Sequence, residues 1–452
     1  MSPSALASTP HLRATDVFGR SWDRRRVTVV GLGRSGNAAA RLLGRAGCRV
    51  RVTDAQDTPA LRAERASLTA LGVEEVELGG HTRRLVDGAE LLVVSPGVSE
   101  SVDPVRWAEE AGVAVMGEID LAFHFCQAPV IAVTGTNGKS TVVTLLADVL
   151  KASGRIAIAC GNLGLPFSSV APQLTAETVA VVEVSSFQLL ACQAFRPAIG
   201  VLLNLGTNHL DRHPDADAYL AAKARLFQRQ NASDWAVLNG TDPRVVELAQ
   251  GVPSRRVWFG DNRTNPPELR LAPQTLRALS PGAQAVLQVA RLSGLLDPLT
   301  WQIIRAFRGL EHRLEGVATI HGVRYVNDSK STTPNSLLFA LDQTRGDVVV
   351  ILGGRDKGLD FHPLAARLHD ARVRGVVLIG ESRPRLRALL NGSTTVRESE
   401  TLAEAVRAAR ALAAPGTTVL FSPACASFDM FANFEARGQA FKAIVDGWRG
   451  MG

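Results

Sequence analysis

Short apolar runs alternate with stretches of helical spacing along this chain, and this alternation limits its possible folds more than any other feature. Runs rich in β-branched residues include RRVTVVGLG, CRVRVTDA and AELLVVSPG, and the helical stretch NAAARLLGRAG lies between the first two. Strands separated by helical segments favour parallel sheets with helices packed on their faces. The sequence therefore predicts an α/β protein.

Three sets of such elements follow one another. A chain of 452 residues is too long for one ordinary core. The first pattern breaks between residues 116 and 128 and restarts with APVIAVTG, and a third begins near residue 311 with strands such as VRYVND and DVVVILGG. We expect three α/β domains over residues 1–117, 118–310 and 311–452, the first and third Rossmann-like and the second of the P-loop ATPase type. The proline-rich stretch 261–284 is expected to be a surface excursion.

The composition excludes several classes of protein. The net charge of +7 comes from arginines spread along the chain without a dense basic run, so no nucleic-acid partner is expected. No apolar stretch approaches the roughly 18 residues that span a bilayer, so no membrane span is expected. The five cysteines are scattered, which indicates a reducing compartment and no zinc site. We expect a cytoplasmic monomer with anionic small-molecule substrates.

Residues 31–36, GLGRSG, link a predicted strand to a predicted helix. Asp54 follows 18 residues after Gly36, at the end of the next strand. Glycines at this spacing let the backbone approach a pyrophosphate, and a helix N-terminus offers free N–H groups to hold it. The motif predicts a nucleotide site without identifying the nucleotide, and the alternative is a tight turn with no ligand.

A second glycine-rich loop, GTNGKST at residues 135–141, follows the apolar strand in APVIAVTG. Its backbone N–H groups can cradle phosphates, Lys139 adds a positive charge, and the Ser140 hydroxyl can bind Mg²⁺. The usual nucleoside-triphosphate loop has a glycine where this chain has Val133. We interpret the loop as a variant ATP site and not as a coincidence, because an amphipathic helical stretch follows it. The predicted ATP contacts are Gly135, Thr136, Asn137, Gly138, Lys139, Ser140 and Thr141.

Three further polar residues of the central domain are candidates for the site. Glu183 ends the apolar run TVAVVEVSS, where a buried carboxylate needs a partner such as a metal ion, although a strand-end carboxylate can also face water. His209 follows another strand and Lys223 lies on a helical run. For each of these two, a packed or solvated side chain is the ordinary interpretation.

Polar clusters follow three predicted strands of the third domain. They are NDSKSTTPNS with Asp328, Lys330 and Thr332, GGRDKG with Lys357, and SPACASFDMFANFEARG with Ser427, Phe434 and Arg437. Serine, asparagine and aspartate also favour turns, so each cluster alone could be turn chemistry. Three clusters in one α/β domain favour a site for an anionic substrate.

Seven segments, taken in order, resemble one family: VTGTNGKST, VEVSSFQL, NHLDRHP with YLAAKARLF, GLEHRLE, NDSKSTTPNS, GGRDKG and SPACASFDMFANFEARG. They are similar to the Mur ligases over about residues 27–441, and the last segment resembles the members that add D-glutamate. The resemblance implies an N-terminal UDP-binding domain, a central ATPase domain and a C-terminal domain for D-glutamate. ATP and Mg²⁺ would be the cofactors, and UDP-N-acetylmuramoyl-L-alanine and D-glutamate the substrates, joined through an acyl phosphate.

The resemblance also implies roles for individual residues. The UDP substrate would contact Gly33, Arg34, Ser35, Gly36, Asp54 and Asn162, ATP would further contact Arg313, Asp328 and Lys330, and D-glutamate would contact Thr332, Lys357, Ser427 and Phe434. The catalytic set would be Lys139, Glu183, His209 and Lys223. The metal ligands would be Ser140, Glu183, His209 and, if it is carbamylated, Lys223.

One segment departs from the family. Where the family has a histidine and asparagines near the adenine, this chain has LSPGAQAVLQVARLSG, with no asparagine. This departure keeps open a nucleotide-binding scaffold that does not catalyse. Among enzymes, the alternative is a Mur-type or folylpolyglutamate-type ligase for another amino acid, against which SFDMFANFEARG argues. A dehydrogenase, suggested by GLGRSG alone, leaves the phosphate loop unexplained.

Overall fold

The computed structural model describes residues 15–99, 101–206, 215–307, 309–390 and 395–449. The chain divides into two compact units, Met1–Phe307 and Arg308–Gly452. The first unit holds two sheets and the second holds one. His209, a predicted metal ligand, lies outside the described residues.

The first sheet has five strands, which pair in parallel. They are β1 (Arg26–Val30), β2 (Arg49–Asp54), β3 (Glu75–Leu78), β4 (Leu91–Val94) and β5 (Ala114–Gly117). Its helices are α1 (Arg34–Arg45), α2 (Pro59–Ala70), α3 (Asp103–Glu110) and α4 (Glu118–Phe125), with a 3₁₀ turn at Arg83–Leu85. The order across the sheet is β3-β2-β1-β4-β5, so the glycine motif follows the central strand. Val29 and Val30 of β1 are both fully buried, because helices cover both faces of a parallel sheet.

The second sheet has six parallel strands. They are β6 (Val130–Thr134), β7 (Ile156–Gly161), β8 (Thr178–Glu183), β9 (Ile199–Leu202), β10 (Trp235–Asn239) and β11 (Arg255–Phe259). Its helices are α5 (Lys139–Ala152), α6 (Phe167–Val170), α7 (Ser186–Leu190), α8 (Ala216–Ala224), α9 (Pro243–Leu248), α10 (Pro273–Ala278), α11 (Pro281–Leu292) and α12 (Pro298–Ala306). Three 3₁₀ turns lie at Ala171–Gln173, Ala249–Gly251 and Pro267–Leu269.

The strand order of the second sheet, β11-β10-β9-β6-β8-β7, places three strand ends side by side. β6 lies between β8 and β9, and Val133 is in register with both Glu183 and Val201. Since parallel strands end at the same edge, the loop after β6 meets residues that follow β8 and β9. This edge carries the phosphate loop and its neighbours.

The stretch 261–284 differs from the predicted surface excursion in its last part. It includes α10 and the first turn of α11, where Gln284 is only 4% exposed. The Gln284 amide accepts from the Gly260 N–H at 2.8 Å and donates to the carbonyls of Leu276 (2.8 Å) and Leu279 (3.0 Å). Helix α10 has no buried residue, as a surface excursion implies, and the buried Gln284 amide holds the end of the stretch in place.

The second unit contains a six-stranded mixed sheet. Its strands are β12 (Glu315–Ile320), β13 (Val323–Asn327), β14 (Val348–Gly353), β15 (Val373–Ile379), β16 (Val396–Glu398) and β17 (Thr418–Phe421). Its helices are α13 (Pro334–Gln343), α14 (His362–Leu368), α15 (Arg383–Leu389), α16 (Leu402–Leu412) and α17 (Phe434–Asp446). The order is β12-β13-β17-β14-β15-β16, and β12 alone of these strands is antiparallel to its neighbour.

These sheets confirm the predicted α/β fold class. Within the described parts of the chain, no helix has the length and apolar character needed to cross a bilayer.

Candidate functional site

A cleft of about 650 Å³ lies at the carboxyl ends of the first sheet's strands. Its walls include five of the predicted substrate contacts: Gly33, Arg34, Ser35, Asp54 and Asn162. Gly33 follows β1, Arg34 and Ser35 begin α1, and Asp54 ends β2, whereas Asn162 follows β7 of the second sheet. The cleft therefore brings both sheets of the first unit to one ligand-sized space.

Hydrogen bonds to Asp54 hold the glycine turn in shape. Its Oδ2 accepts from the Leu32 N–H at 2.6 Å, and its Oδ1 accepts from the Gln56 N–H at 2.8 Å. Helix α1 begins directly after Gly33, which offers no side-chain cap, so the first N–H groups of the helix are free for an anion. Asp54 thus organises the turn as well as facing the cleft.

Gly36 supports the turn from inside. A Cβ at this position would lie 1.8 Å from the Gly31 carbonyl oxygen and 2.6 Å from Ser95 Oγ. A Cβ at Gly33, whose φ is −68°, would meet no atom within 4 Å. Of the two glycines, Gly36 is the one that the packing requires.

Gly36→Ala is expected to destabilise the first unit by about 1–3 kcal/mol, because the added methyl group overlaps backbone that cannot move freely. Gly33→Ala is the matched control and should leave the unfolding midpoint nearly unchanged. Urea unfolding followed by circular dichroism measures both. Equal stability of the two variants would contradict this account of the turn.

The phosphate loop combines two glycines with an uncapped helix. Gly135 and Gly138 have φ values of +150° and +83°, which other residues rarely adopt. Gly138 is the N-cap of α5 and supplies no side chain, so the N–H groups of the first turn remain available to a phosphate. The geometry supports the predicted anion site at Lys139, Ser140 and Thr141.

Asn204, which sequence reasoning did not select, clamps this loop. Its Oδ1 accepts from the Asn137 N–H at 2.9 Å, its Nδ2 donates to the Asn137 carbonyl at 3.1 Å, and its own carbonyl accepts from the Thr136 N–H at 3.0 Å. The N–H groups of Thr136 and Asn137 are therefore occupied by protein. Since Asn204 lies 67 residues from Asn137, only the pairing of β6 with β9 reveals the contact.

Two lysine amines converge on the loop. Lys139 Nζ donates to the carbonyls of Gly135 (2.9 Å) and Thr136 (3.0 Å). Lys223 Nζ donates to the same Gly135 carbonyl at 3.1 Å and to Thr134 Oγ1 at 3.3 Å. Lys223 is 1% exposed, and burial, followed by the charge of Lys139, lowers its pKa well below 10.5. Both effects shift the protonation equilibrium of Lys223 toward its neutral form.

Tyr219, one helical turn before Lys223 on α8, is a further residue that sequence reasoning missed. Its hydroxyl lies 3.0 Å from Thr136 Oγ1, and its ring centroid lies 4.6 Å from Lys223 Nζ. The spacing YLAAK places both side chains on one helix face, which is a detectable signal once Lys223 is selected. Tyr219 orients Lys223 and the loop together.

Glu183 ends β8 with a carboxylate that is only partly satisfied. It is 2% exposed, and its Oε1 accepts from Asn162 Nδ2 at 2.8 Å. Its Oε2 is buried and has no hydrogen-bond partner among the described residues. A buried carboxylate oxygen without a donor fits a cation, and hard cations prefer such oxygens. Asn162 connects this carboxylate to the substrate cleft.

The described residues contain no group of three or more His, Cys, Asp and Glu side chains arranged for a metal ion. Three of the four predicted metal ligands, Ser140, Glu183 and Lys223, lie among the described residues. Ser140 is buried at the start of α5. His209 lies outside the described residues, so its assignment stays a prediction. A cation here would need phosphate oxygens to complete its coordination.

In the second unit, the polar clusters follow β13, β14 and β17, whose carboxyl ends are adjacent. Asp328, directly after β13, is 5% exposed and accepts from the Leu314 N–H (3.1 Å) and from Ser422 Oγ (2.7 Å). Burial raises the pKa of Asp328 from 3.8 to about 6, while these hydrogen bonds and the charge of Arg313 act in the opposite direction. Arg313 and Asp328, both predicted ATP contacts, therefore lie near each other.

Asp328→Asn is expected to remove a pH-dependent loss of stability from the second unit. Because the folded-state pKa of Asp328 is raised to about 6, its contribution is fully present below pH 3.8 and is lost as the pH rises through 6. The difference in unfolding free energy between variant and wild type should change by about 3 kcal/mol across that window. Urea unfolding at several pH values measures it, with the exposed Asp446→Asn as the control. Parallel pH profiles for Asp328→Asn and wild type would refute the assignment.

Arg437 belongs to the framework of this cluster and not to its exposed surface. It is 1% exposed, and its guanidinium donates to Ser329 Oγ (3.1 Å), to the Ser329 carbonyl (2.8 Å) and to the Cys425 carbonyl (3.0 Å). Burial lowers the pKa of Arg437 to about 10. It fixes the loops after β13 and β17 to α17.

Two of the predicted D-glutamate contacts, Phe434 and Lys357, each belong to a lysine–aromatic pair. Lys330 Nζ lies 5.8 Å from the ring centroid of Phe434, at the start of α17. Lys357 Nζ lies 5.3 Å from the ring of Phe428, which is 61% exposed and was not selected from the sequence. Ser427, which precedes Phe428, is 2% exposed. Thr332 is half-buried in the loop after β13.

Three protein families match consecutive parts of the chain. The Mur ligase MurD-like N-terminal domain matches residues 25–117, the Mur ligase middle domain matches residues 133–285, and the Mur ligase glutamate ligase domain matches residues 312–425. The chain is 42% identical over 440 residues to the UDP-N-acetylmuramoylalanine–D-glutamate ligase of Desulfosudis oleivorans, covering 93% of this chain and 95% of the relative. The enzyme of that name from Pelotomaculum thermopropionicum is 38% identical over 449 residues, with 94% and 98% covered.

Solved structures agree at the level of the fold. The UDP-N-acetylmuramate-alanine ligase MurC of Thermotoga maritima superposes with a TM-score of 0.52 at 17% identity, covering 94% of this chain and 100% of that chain. The MurF ligase of Thermotoga maritima in complex with ADP superposes with a TM-score of 0.54 at 18% identity, covering 80% and 90%.

Proposed function

The chain belongs to the Mur ligase family, and we propose that it joins D-glutamate to UDP-N-acetylmuramoyl-L-alanine at the expense of ATP. The observation that carries the proposal is the connection between the phosphate loop and the substrate cleft. Asn162 lines the cleft and donates to Glu183, which ends the strand beside the loop. A phosphate donor and a carboxylate acceptor can therefore meet at one sheet edge.

The reaction requires a carboxylate to become a good acyl donor, because a free carboxylate resists attack by an amine. The terminal carboxylate of the UDP substrate attacks the γ-phosphorus of ATP, the bond to the β-phosphate oxygen breaks, and ADP leaves. The D-glutamate nitrogen then attacks the acyl phosphate, forming the amide and releasing phosphate and a proton. Lys139 and the N–H groups at the start of α5 stabilise the negative charge on the phosphates.

We assign Mg²⁺ to Ser140 and Glu183, in agreement with the unpaired Glu183 Oε2. When bound, the ion would neutralise phosphate charge. His209 is assigned by the family resemblance. Lys223 is assigned as a lysine whose neutral amine reacts with CO₂ to form a carbamate and release a proton, which places an anion at this position. Its lowered pKa supports this, because only the neutral amine has the lone pair that attacks CO₂.

We assign recognition of D-glutamate to the second unit, through Thr332, Lys357, Ser427 and Phe434. Lys357, placed against the ring of Phe428, supplies a positive charge that suits the carboxylates of D-glutamate. Residues 1–117, 118–310 and 311–452 remain our proposed domains for the UDP substrate, ATP and D-glutamate.

An amino-acid panel tests the acceptor. The purified protein is incubated with UDP-N-acetylmuramoyl-L-alanine, ATP and Mg²⁺ plus D-glutamate, L-glutamate, L-lysine or a diamino acid, and products are identified by mass spectrometry. We expect a ligated product with D-glutamate alone. A product with L-lysine or with a diamino acid would replace the proposal with a Mur-type ligase for another amino acid.

A further inference from the structure

His81 lines the substrate cleft beside Asp54 and Gln56, and neither the glycine motif nor the phosphate loop accounts for it. Its Nδ1 lies 2.8 Å from Thr53 Oγ1, and Thr53 is 1% exposed. Thr53 Oγ1 also donates to the Gly80 carbonyl at 3.1 Å. The preceding residues, Gly79 and Gly80, are tied in turn to the main-chain carbonyl of Asp54 at 3.0 and 3.2 Å.

These bonds determine which nitrogen of the neutral ring carries the proton. A carbonyl can only accept, so the single hydroxyl proton of Thr53 goes to Gly80. Thr53 Oγ1 must then accept from His81, which places the ring proton on Nδ1. Nε2 is left with a lone pair, and no hydrogen bond joins it to any described residue. His81 therefore presents a fixed hydrogen-bond acceptor to the cleft.

The order of the strands locates this acceptor along a nucleotide. The uncapped helix after β1 suits the diphosphate, and a carboxylate at the end of β2 suits a sugar hydroxyl. His81 follows β3, the next strand outward and the edge strand of this sheet. The base of a nucleotide diphosphate extended along this edge would lie beside it.

We propose that His81 is a specificity-determining residue whose Nε2 accepts a hydrogen bond from the imide N–H of uracil. This inference rests on the proposed function, which makes a uridine nucleotide the ligand of the cleft. Uracil offers a donor at that ring nitrogen, whereas cytosine offers a lone pair there, which would oppose the lone pair of Nε2. A site built to accept a hydrogen bond rejects a ligand that lacks the donor.

Isothermal titration with UDP and with CDP tests the proposal. Wild type should bind UDP more tightly than CDP. His81→Asn keeps a polar atom near Thr53 but cannot reach the cleft, so it should weaken UDP binding by about fivefold to tenfold. CDP binding should not weaken, because the lone pair that opposes cytosine is removed as well. His81→Gln, whose longer amide can place an oxygen near the Nε2 position, should recover part of the preference. His321→Asn, a like change on an exposed turn of the second unit, is the control.

Two results would overturn the proposal. One is an affinity for UDP in His81→Asn that equals that of the wild type. The other is equal weakening of both ligands, which would assign His81 to a sugar hydroxyl. D-glutamate-dependent ADP release by the wild-type protein is measured in parallel. The absence of this ADP release would count against the proposed function. The UDP and CDP affinities would still test whether His81 recognises the base.

Discussion

Lys139→Ala is expected to lower D-glutamate-dependent ADP release by roughly 1,000-fold, the largest effect of any single substitution in this chain. The side chain carries the positive charge at the mouth of the phosphate loop, where its amine contacts the Gly135 and Thr136 carbonyls. When phosphates bind, that amine can move from neutral carbonyls to a far more negative partner. Its loss leaves the developing charge on the transferred phosphoryl group without this cation.

A matched control separates this effect from a general change in charge. Lys151 lies on the same helix, α5, in its last turn, and is exposed. Lys151→Ala should therefore turn over at nearly the wild-type rate. Lys139→Arg keeps the charge but not its compact shape and should recover only part of the activity. Wild-type turnover in Lys139→Ala would remove the loop from the mechanism.

Lys223→Met is expected to lower turnover by roughly 100-fold without lowering the unfolding midpoint. The variant keeps the length and apolar stem of the side chain and removes an amine whose pKa burial has already lowered. The variant loses the hydrogen bonds that the amine donates to the Gly135 carbonyl and to Thr134 Oγ1. Stability should hold because the variant also avoids the cost of burying the polar amine. The activity loss follows if the amine must become an anion.

The dependence of turnover on bicarbonate distinguishes a carbamate at Lys223 from an unmodified amine. Wild-type activity should fall in buffer depleted of bicarbonate and return when bicarbonate is added, whereas Lys223→Met should not respond. Tyr219→Phe removes only the hydroxyl that contacts Thr136, so a smaller loss that still responds to bicarbonate is expected. Wild-type turnover that is indifferent to bicarbonate would argue for an unmodified lysine.

The sequence predicted the inner strands of the three sheets, and it missed most of the strands at the sheet edges. β6 and β14 read as nearly continuous apolar runs because helices cover both faces of these strands. β3 and β16 are short and partly exposed, so their composition resembles that of loops. Their pairing with a neighbour, and not their residues, makes them strands.

Some residues of the site were also predictable from the sequence, and others were not. Glycines and a lysine at fixed spacing predicted the phosphate loop, because a tight turn leaves a local trace in the sequence. Asn204 left none, since an asparagine after a strand is ordinary and its contact with Asn137 depends on the pairing of β6 with β9. Gly36 was predicted to contact substrate, and its packing against the Gly31 carbonyl gives it a structural role as well. The sequence likewise did not indicate that Arg437 is buried.

The central claim is that ATP cleavage here is coupled to D-glutamate addition. Its most direct test is ADP release by the purified protein with UDP-N-acetylmuramoyl-L-alanine, ATP, Mg²⁺ and D-glutamate, and again with each component omitted in turn. We predict sustained release only in the complete mixture, with one ligated product formed for each ADP. Sustained release that does not depend on D-glutamate, or no release in the complete mixture, would contradict the claim.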